Sequence, residues 1–242
     1  MKLVLAALAA LLATACSSGP TTTELNVSAA ASLTGSFTQI AHDFEATHPG
    51  VSVKLNFGSS SALAEQINAG APVDVFAAAS PATMKSVVDA GNIANPVPFT
   101  GNTLELAVPP TNPADITSLA DAAISGTKLV VCVPQAPCGA AATALFENAN
   151  LAPTPVSLEP DVKSVLAKVI ANEADAGIVY VTDVKSAGGS VTGIAIPSDM
   201  NVYSEYEIGA TSRNPELANA FVTFVNSTAE QQVLLDAGFA RQ

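Results

Sequence analysis

Two segments of this chain turn from a strand into a helix with serine at the corner, and they constrain the fold more than any other feature. Ala29-Ala30-Ala31-Ser32-Leu33 closes the apolar run Leu25 to Ala29. Gly58-Ser59-Ser60-Ser61-Ala62 closes a run in which Val51, Val53, Leu55 and Phe57 alternate with the period of a strand. Each corner opens onto helical spacing: Leu33, Phe37, Ile40, Ala41 and Phe44 after the first, then Leu63 and Ile67 with a stop at Gly70 after the second. Ser32 sits at the expected N-cap. Parallel sheets bring successive β–α turns to one edge, where ligands bind. A helix start offers unpaired N–H groups and the positive end of a dipole. With serine hydroxyls added, two such corners can hold a small anion without any charged side chain.

The alternation continues. Val73 to Ala78 reads as a strand, and Ser80-Pro81 starts a helix through Val87, Val88 and Gly91. Thr103 to Val108 is a strand, followed by a bend at Pro109, Pro110 and Pro113, a helix near Ile116 to Ile124, and a strand from Lys128 to Val133. Helices follow from about Gly139 to Asn148 and through Val162, Val165, Leu166, Val169 and Ile170. Ala176 to Val181 and Thr192 to Ile196 read as strands, and Val202 to Thr211 as extended. Asn214-Pro215 starts a helix through Val225, and Thr228 with Gln231 reads as a capping box for the last one. Alternating strands and helices predict an α/β fold with mostly parallel sheet. The helices are too few for an eight-fold barrel. Two smaller sheets, with the chain crossing between lobes, fit the length.

The first residues read as an export signal. Leu3 to Ala13 is apolar but too short to span a bilayer, and it ends in Ala13-Thr14-Ala15-Cys16. Residues 1–15 are therefore expected to be a signal peptide. Cys16 resembles the lipidated cysteine of a bacterial lipobox, and residues 16–23 read as a tether. The formal net charge of −12 becomes −13 once Lys2 leaves with the signal. Such an acidic chain lacks the basic field that attracts nucleic-acid phosphates. With Cys16 lipidated, Cys132 and Cys138 remain, and an exported pair is normally oxidised. Closing so small a loop contributes about 2 kcal/mol in the chain-entropy model.

Catalytic and metal chemistries find little support. The Ser60 corner superficially matches a nucleophile elbow, but the two histidines, His42 and His48, both precede it, whereas the α/β-hydrolase order puts histidine last. No metal-ligand spacing or dinucleotide fingerprint occurs. Asp74, Asp161, Glu173 and Asp175 are scattered, and Asp74 reads as structural. Lys163 reads as a solvated lysine rather than a cation for the anion.

The ordered set Ala29-Ala30-Ala31-Ser32-Leu33, Ser59-Ser60-Ser61-Ala62-Leu63-Ala64, Gly70-Ala71-Pro72-Val73-Asp74-Val75-Phe76, Asp161-Val162, Gly177-Ile178-Val179-Tyr180 and Gly238-Phe239 spans nearly all of the mature chain. It resembles the molybdate-binding proteins of bacterial ABC importers, within the type II periplasmic-binding-protein fold. The resemblance implies two lobes, each a mixed, mostly parallel sheet flanked by helices, with the ligand in the cleft between them. Residues 24–102 and 203–242 would form one lobe and 103–202 the other. It implies no enzyme activity and no cofactor. The transported ligand it implies is molybdate, and tungstate, nearly the same size, would bind too. The oxyanion would be held by hydroxyls and backbone N–H groups of Ser32, Ser60, Cys138, Val162 and Tyr180. Cysteine at 138, where the family often has alanine, resembles an actinobacterial branch with a similar cysteine pair. The expected partners are an ABC permease and, through Cys16, the outer face of the cytoplasmic membrane, with the protein acting as an exported monomer. The alternatives are a carrier for sulfate or phosphate, a ligand-sensing domain of this fold, and a serine hydrolase.

Overall fold

The structure is a computed structural model that describes residues 22–241. The expected signal peptide, Cys16 and most of the expected tether lie outside these residues. Thr23, assigned above to the tether, already belongs to the first strand.

The chain starts with β1 (Thr23–Ala30), a short 3-10 turn (Ala31–Leu33) and α1 (Thr34–Thr47). α1 buries Phe37, Ile40, Ala41 and Phe44, the face that its spacing predicts. Ser32 is not its N-cap, contrary to the sequence expectation. The extra turn moves the cap to Leu33, which has no capping side chain, and leaves the Ser32 hydroxyl 2.8 Å from the Tyr206 hydroxyl. β2 (Val51–Gly58) leads into α2 (Ser60–Asn68), β3 (Val75–Ala78) into α3 (Pro81–Asp89). The Ser80 hydroxyl accepts from the Thr83 N–H and caps α3, with Pro81 behind it, as expected.

β4 (Val97–Val108) is twice the expected length. Pro98 hid its first half, and the strand tolerates it at a register shift between Pro98 and Thr100. The helix expected over 116–124 is a single turn, α4 (Leu119–Ala122), entered from Asn112 and Asp115 in left-handed conformations. β5 (Leu129–Cys132), α5 (Pro137–Asn148), β6 (Ser157–Glu159), α6 (Val162–Ile170) and β7 (Ala176–Tyr180) follow. α7 (Val181–Ala187), unforeseen in the sequence, leaves β7 directly, and β8 (Thr192–Ala195) and β9 (Tyr203–Ala210) come next. α8 (Pro215–Val225) and α9 (Thr228–Ala237) close the chain. The cap of α9 is Ser227, which accepts from the Glu230 N–H, not Thr228. Gln231 donates instead to the Val225 carbonyl.

The strands run in the order β2-β1-β3-β9-β4-β7-β5-β6, with β8 also on β4. β1 is parallel to β2 and β3, and β5 is parallel to β6 and β7. The antiparallel pairings all involve β4 or β9. β4 links the two halves: Val97 to Thr103 pair with β9, and Leu104 to Val108 pair with β7 and β8. Each half has its own apolar core. One gathers Leu25, Val27, Phe37, Phe44, Phe99 and Phe221, and the other gathers Leu106, Val130, Leu145, Val165, Val169 and Ile178.

α6 rests directly on β7 at Gly177. A Cβ there would lie 2.8 Å from Val165 Cγ1 and 2.9 Å from Val169 Cγ2, closer than packed carbons approach. Gly177→Ala is expected to lift α6 from the sheet and cost about 1–3 kcal/mol. Urea denaturation should show a lower midpoint with an unchanged m-value.

Candidate functional site

A small cavity of about 20 Å³ lies where the two halves meet. One water needs about 10–15 Å³ on this measure, so the space suits one compact group, not a sugar or an amino acid. Its walls come from six strand ends. Ala30, Ala31 and Ser32 follow β1, Gly58, Ser59 and Ser60 follow β2, and Ala79 follows β3. Pro137 and Cys138 begin α5 after β5, Asp161 and Val162 begin α6 after β6, and Tyr180 ends β7. These are the carboxyl ends of the two parallel triplets, facing each other across the cavity. All five candidate residues, Ser32, Ser60, Cys138, Val162 and Tyr180, line this cavity and are buried.

Each of them carries a group that can donate a hydrogen bond. Ser60 is the first residue of α2, Cys138 the second of α5 and Val162 the first of α6. Their N–H groups have no carbonyl of their own helix to donate to. The Ser60 hydroxyl accepts from the Ala79 N–H at 3.0 Å, which leaves its own proton free to point elsewhere. The Ser32 hydroxyl lies 2.8 Å from the Tyr206 hydroxyl. The Tyr180 hydroxyl is buried and makes no hydrogen bond among the described residues, an orphan that a bound acceptor would satisfy. Burial pushes its pKa up to about 12, so it keeps its proton at any physiological pH.

Charge is nearly absent from the lining. Among the described residues no lysine or arginine reaches the cavity. Lys163 points away: its Nζ lies 2.9 Å from Asp183 Oδ1 and donates to Ser186 at 3.2 Å. Burial pushes the Asp183 carboxyl up, and Lys163 opposes that shift. Asp183 Oδ2 also accepts the Tyr180 N–H at 3.1 Å, which fixes the end of β7. Asp161 is the one carboxylate in the lining, and its Oδ1 caps α6 by accepting the Ser164 N–H at 2.9 Å. Asp74 is structural, as the sequence suggests, accepting from the Asn26 N–H and its side-chain amide at 2.7 and 3.2 Å. His42 is exposed, and His48 stacks on Phe44 with ring centroids 3.9 Å apart. No group of three metal-ligating side chains occurs among the described residues.

A disulfide and a glycine shape the cysteine loop beside the cavity. Cys132 ends β5 and is disulfide-bonded to Cys138, with the two Cα atoms 5.7 Å apart. Gly139 then lets the start of α5 sit on the chain itself: a Cβ there would lie 1.9 Å from the Val133 carbonyl oxygen.

Relatives agree with this architecture. The family profile described as "Bacterial extracellular solute-binding protein" matches residues 25–240. The chain belongs to the bacterial extracellular solute-binding proteins. Members of this family bind solutes and are not enzymes. The chain is 42% identical over 218 residues to the molybdate-binding protein ModA of Mycobacterium tuberculosis, covering 89% of this chain and 84% of that one. The periplasmic molybdate-binding protein of Azotobacter vinelandii superimposes with a TM-score of 0.78 at 19% identity, covering 90% of this chain and 99% of that one. The sulfate-binding protein SubI of Mycobacterium tuberculosis gives 0.81 at 17% identity, covering 90% and 87%. The fold is thus that of the type II periplasmic-binding proteins. At such identities these two structures speak to the fold alone.

Ala79 and Tyr206 also hold the serine hydroxyls, and neither stands in a motif that marks it in the sequence. Ala79 contributes through its backbone, which no side chain announces. Tyr206 had one faint signal: it shares the inward face of β9 with Ser204 and Ile208.

Two outcomes follow from this geometry. Reducing Cys132–Cys138 should lower stability by about 2 kcal/mol, read as a lower urea midpoint with dithiothreitol. Tyr180 and Tyr206 are both pushed up by burial from an unfolded value near 10. The native state then retains protons that the unfolded chain releases. Stability should be constant with respect to these groups below pH 10 and fall as pH rises from about 10 to 12. Urea midpoints measured across that range check this.

Proposed function

We propose that this protein captures molybdate outside the cytoplasm and delivers it to an ABC permease. Ser32, Ser60, Cys138, Val162 and Tyr180 would donate to the oxyanion, and tungstate, nearly the same size, would bind as well. The observation that carries the reading is a cavity of about 20 Å³ ringed by helix starts and hydroxyls, with no cation in its lining among the described residues. Molybdate is a fully deprotonated tetrahedral dianion at neutral pH, so it accepts hydrogen bonds and donates none. A site made of donors can satisfy each of its oxygens. The 42% identical relative bearing the name molybdate-binding protein supports the same ligand.

Residues 24–102 with 203–242 would act as one lobe and 103–202 as the other. The ligand would bridge them and stabilise the closed form that a permease recognises. The net charge of −12 repels anions at long range, but salt screens this beyond about 8–10 Å. Local dipoles and closure must then supply the affinity. In this reading the protein works as a monomer. Cys16 would carry a lipid that holds it at the outer face of the cytoplasmic membrane.

Sulfate is the nearest competitor, because it is also aprotic at neutral pH and must be rejected by size. Hydrogen phosphate carries a proton that would face another donor, and each unmatched buried group costs roughly 1–3 kcal/mol. Titration calorimetry should give tight binding of molybdate and tungstate, weak sulfate and no phosphate. Tight phosphate binding without molybdate heat would overturn the assignment. Ser60→Ala should weaken molybdate at least about tenfold, the effect of one lost hydrogen bond to a charged group, and, because it leaves the buried Ala79 N–H without its acceptor, lower stability by about 1–3 kcal/mol.

A further inference from the structure

The two serines differ in what holds their hydroxyls. Ser60 Oγ accepts from the Ala79 backbone N–H, a group that can only donate. Its proton is therefore directed away from Ala79 whatever the ligand. Ser32 Oγ lies 2.8 Å from Tyr206 Oη, and in such a pair either oxygen can be the donor. Both residues are buried, Tyr206 completely. Ser32 Oγ is the hydrogen-bond partner of the Tyr206 hydroxyl among the described residues. If Ser32 gave its proton to Tyr206, the phenol proton would need another acceptor in a buried place. Asn102 Oδ1 already accepts the Thr103 N–H at 3.0 Å and its amide donates to Thr182 Oγ1 at 2.8 Å, and the Tyr180 hydroxyl, the other polar group beside the ring, makes no hydrogen bond among the described residues and would itself donate to an anion in the cavity. Tyr206 is held in this orientation by aromatic neighbours. Its ring centroid lies 5.5 Å from that of Phe239, 6.2 Å from that of Tyr180 and 6.4 Å from that of Phe99, all edge-on.

We infer that Tyr206 is a positioning and specificity residue: its hydroxyl donates to Ser32 Oγ and thereby commits the Ser32 proton to the cavity. This rests on the reading of the cavity as an oxyanion site. Ser32 Oγ then has no role as an acceptor for a ligand proton. The hydroxyl pair works as a one-way relay that favours aprotic oxyanions over protonated ones. Tyr206 does not line the cavity, so its influence runs through Ser32. Without the phenol O–H, Ser32 Oγ is released. It can rotate to donate elsewhere and accept a proton from hydrogen phosphate. Burial holds the Tyr206 pKa well above 10, so the relay persists through the physiological range.

The test is Tyr206→Phe, which keeps the ring and its three edge-on contacts. Calorimetry at pH 8, where phosphate is mostly the monoprotonated dianion, reads molybdate, sulfate and phosphate for wild type and variant. The variant should lose about tenfold for molybdate and sulfate alike while phosphate holds or improves, so that the molybdate-to-phosphate ratio falls. In a Ser32→Ala background, Tyr206→Phe should change molybdate affinity no further. A general loosening of the fold would weaken all three anions together and add to Ser32→Ala; either result overturns the inference, as does an unchanged ratio. Wild type that binds no molybdate would instead overturn the proposed function, and the inference with it. If the Phe variant does not fold, 3-fluorotyrosine placed at 206 keeps the packing and strengthens the O–H donor. It should tighten molybdate binding, and unchanged or weaker binding overturns the inference.

Discussion

A helix begins with N–H groups that its own backbone cannot satisfy, and this protein's architecture turns on where those groups are put. α2, α5 and α6 start against one small cavity, and the 3-10 turn after β1 starts there too. Left empty and dry, such a convergence of donors would be costly. Filled by a compact acceptor, it would be a binding site that uses no cationic side chain of the described residues.

The two halves reach this arrangement by the same route. Each presents three parallel strands, and parallel strands point their carboxyl ends the same way. The antiparallel strands β4 and β9 join the halves and turn those ends toward each other. β9 also brings Tyr206 beneath Ser32, so the connection between the halves contributes to the polar network as well as to the fold. Asp183 does similar work from the other half, where it holds the Tyr180 N–H and is held by Lys163. A lysine tempting as an anion ligand is thereby committed to a structural carboxylate.

Departures from local expectation cluster at the site. Ser32 reads as a helix cap by every local rule, yet one extra turn gives the cap position to Leu33 and frees the serine for Tyr206. Ser60 reads as the corner residue, yet Ser59 takes the cap position and Ser60 moves one residue into the helix, where it lines the cavity. Away from the cavity the misses are plainer. Pro98 concealed half of β4, Asn112 and Asp115 cut α4 to one turn, and α7 follows β7 with no spacer to mark it.

Much of this was legible in the chain itself. Alternating β and α periodicities set the α/β class, the apolar faces of α1 and α6 named the residues that would be buried, and the paired cysteines in an export context anticipated the bridge that the structure contains. These are local or compositional properties, written in spacing and residue type. The ordered motifs also marked Ser32, Ser60, Cys138, Val162 and Tyr180 as candidates for one site. Only the tertiary structure decided that they share one cavity, that Tyr206 backs Ser32, and that Lys163 faces Asp183 instead of the cavity. Those facts join residues up to 174 positions apart. Which way a hydroxyl or an ammonium turns depends on the partner that folding brings beside it, and no local pattern encodes that partner.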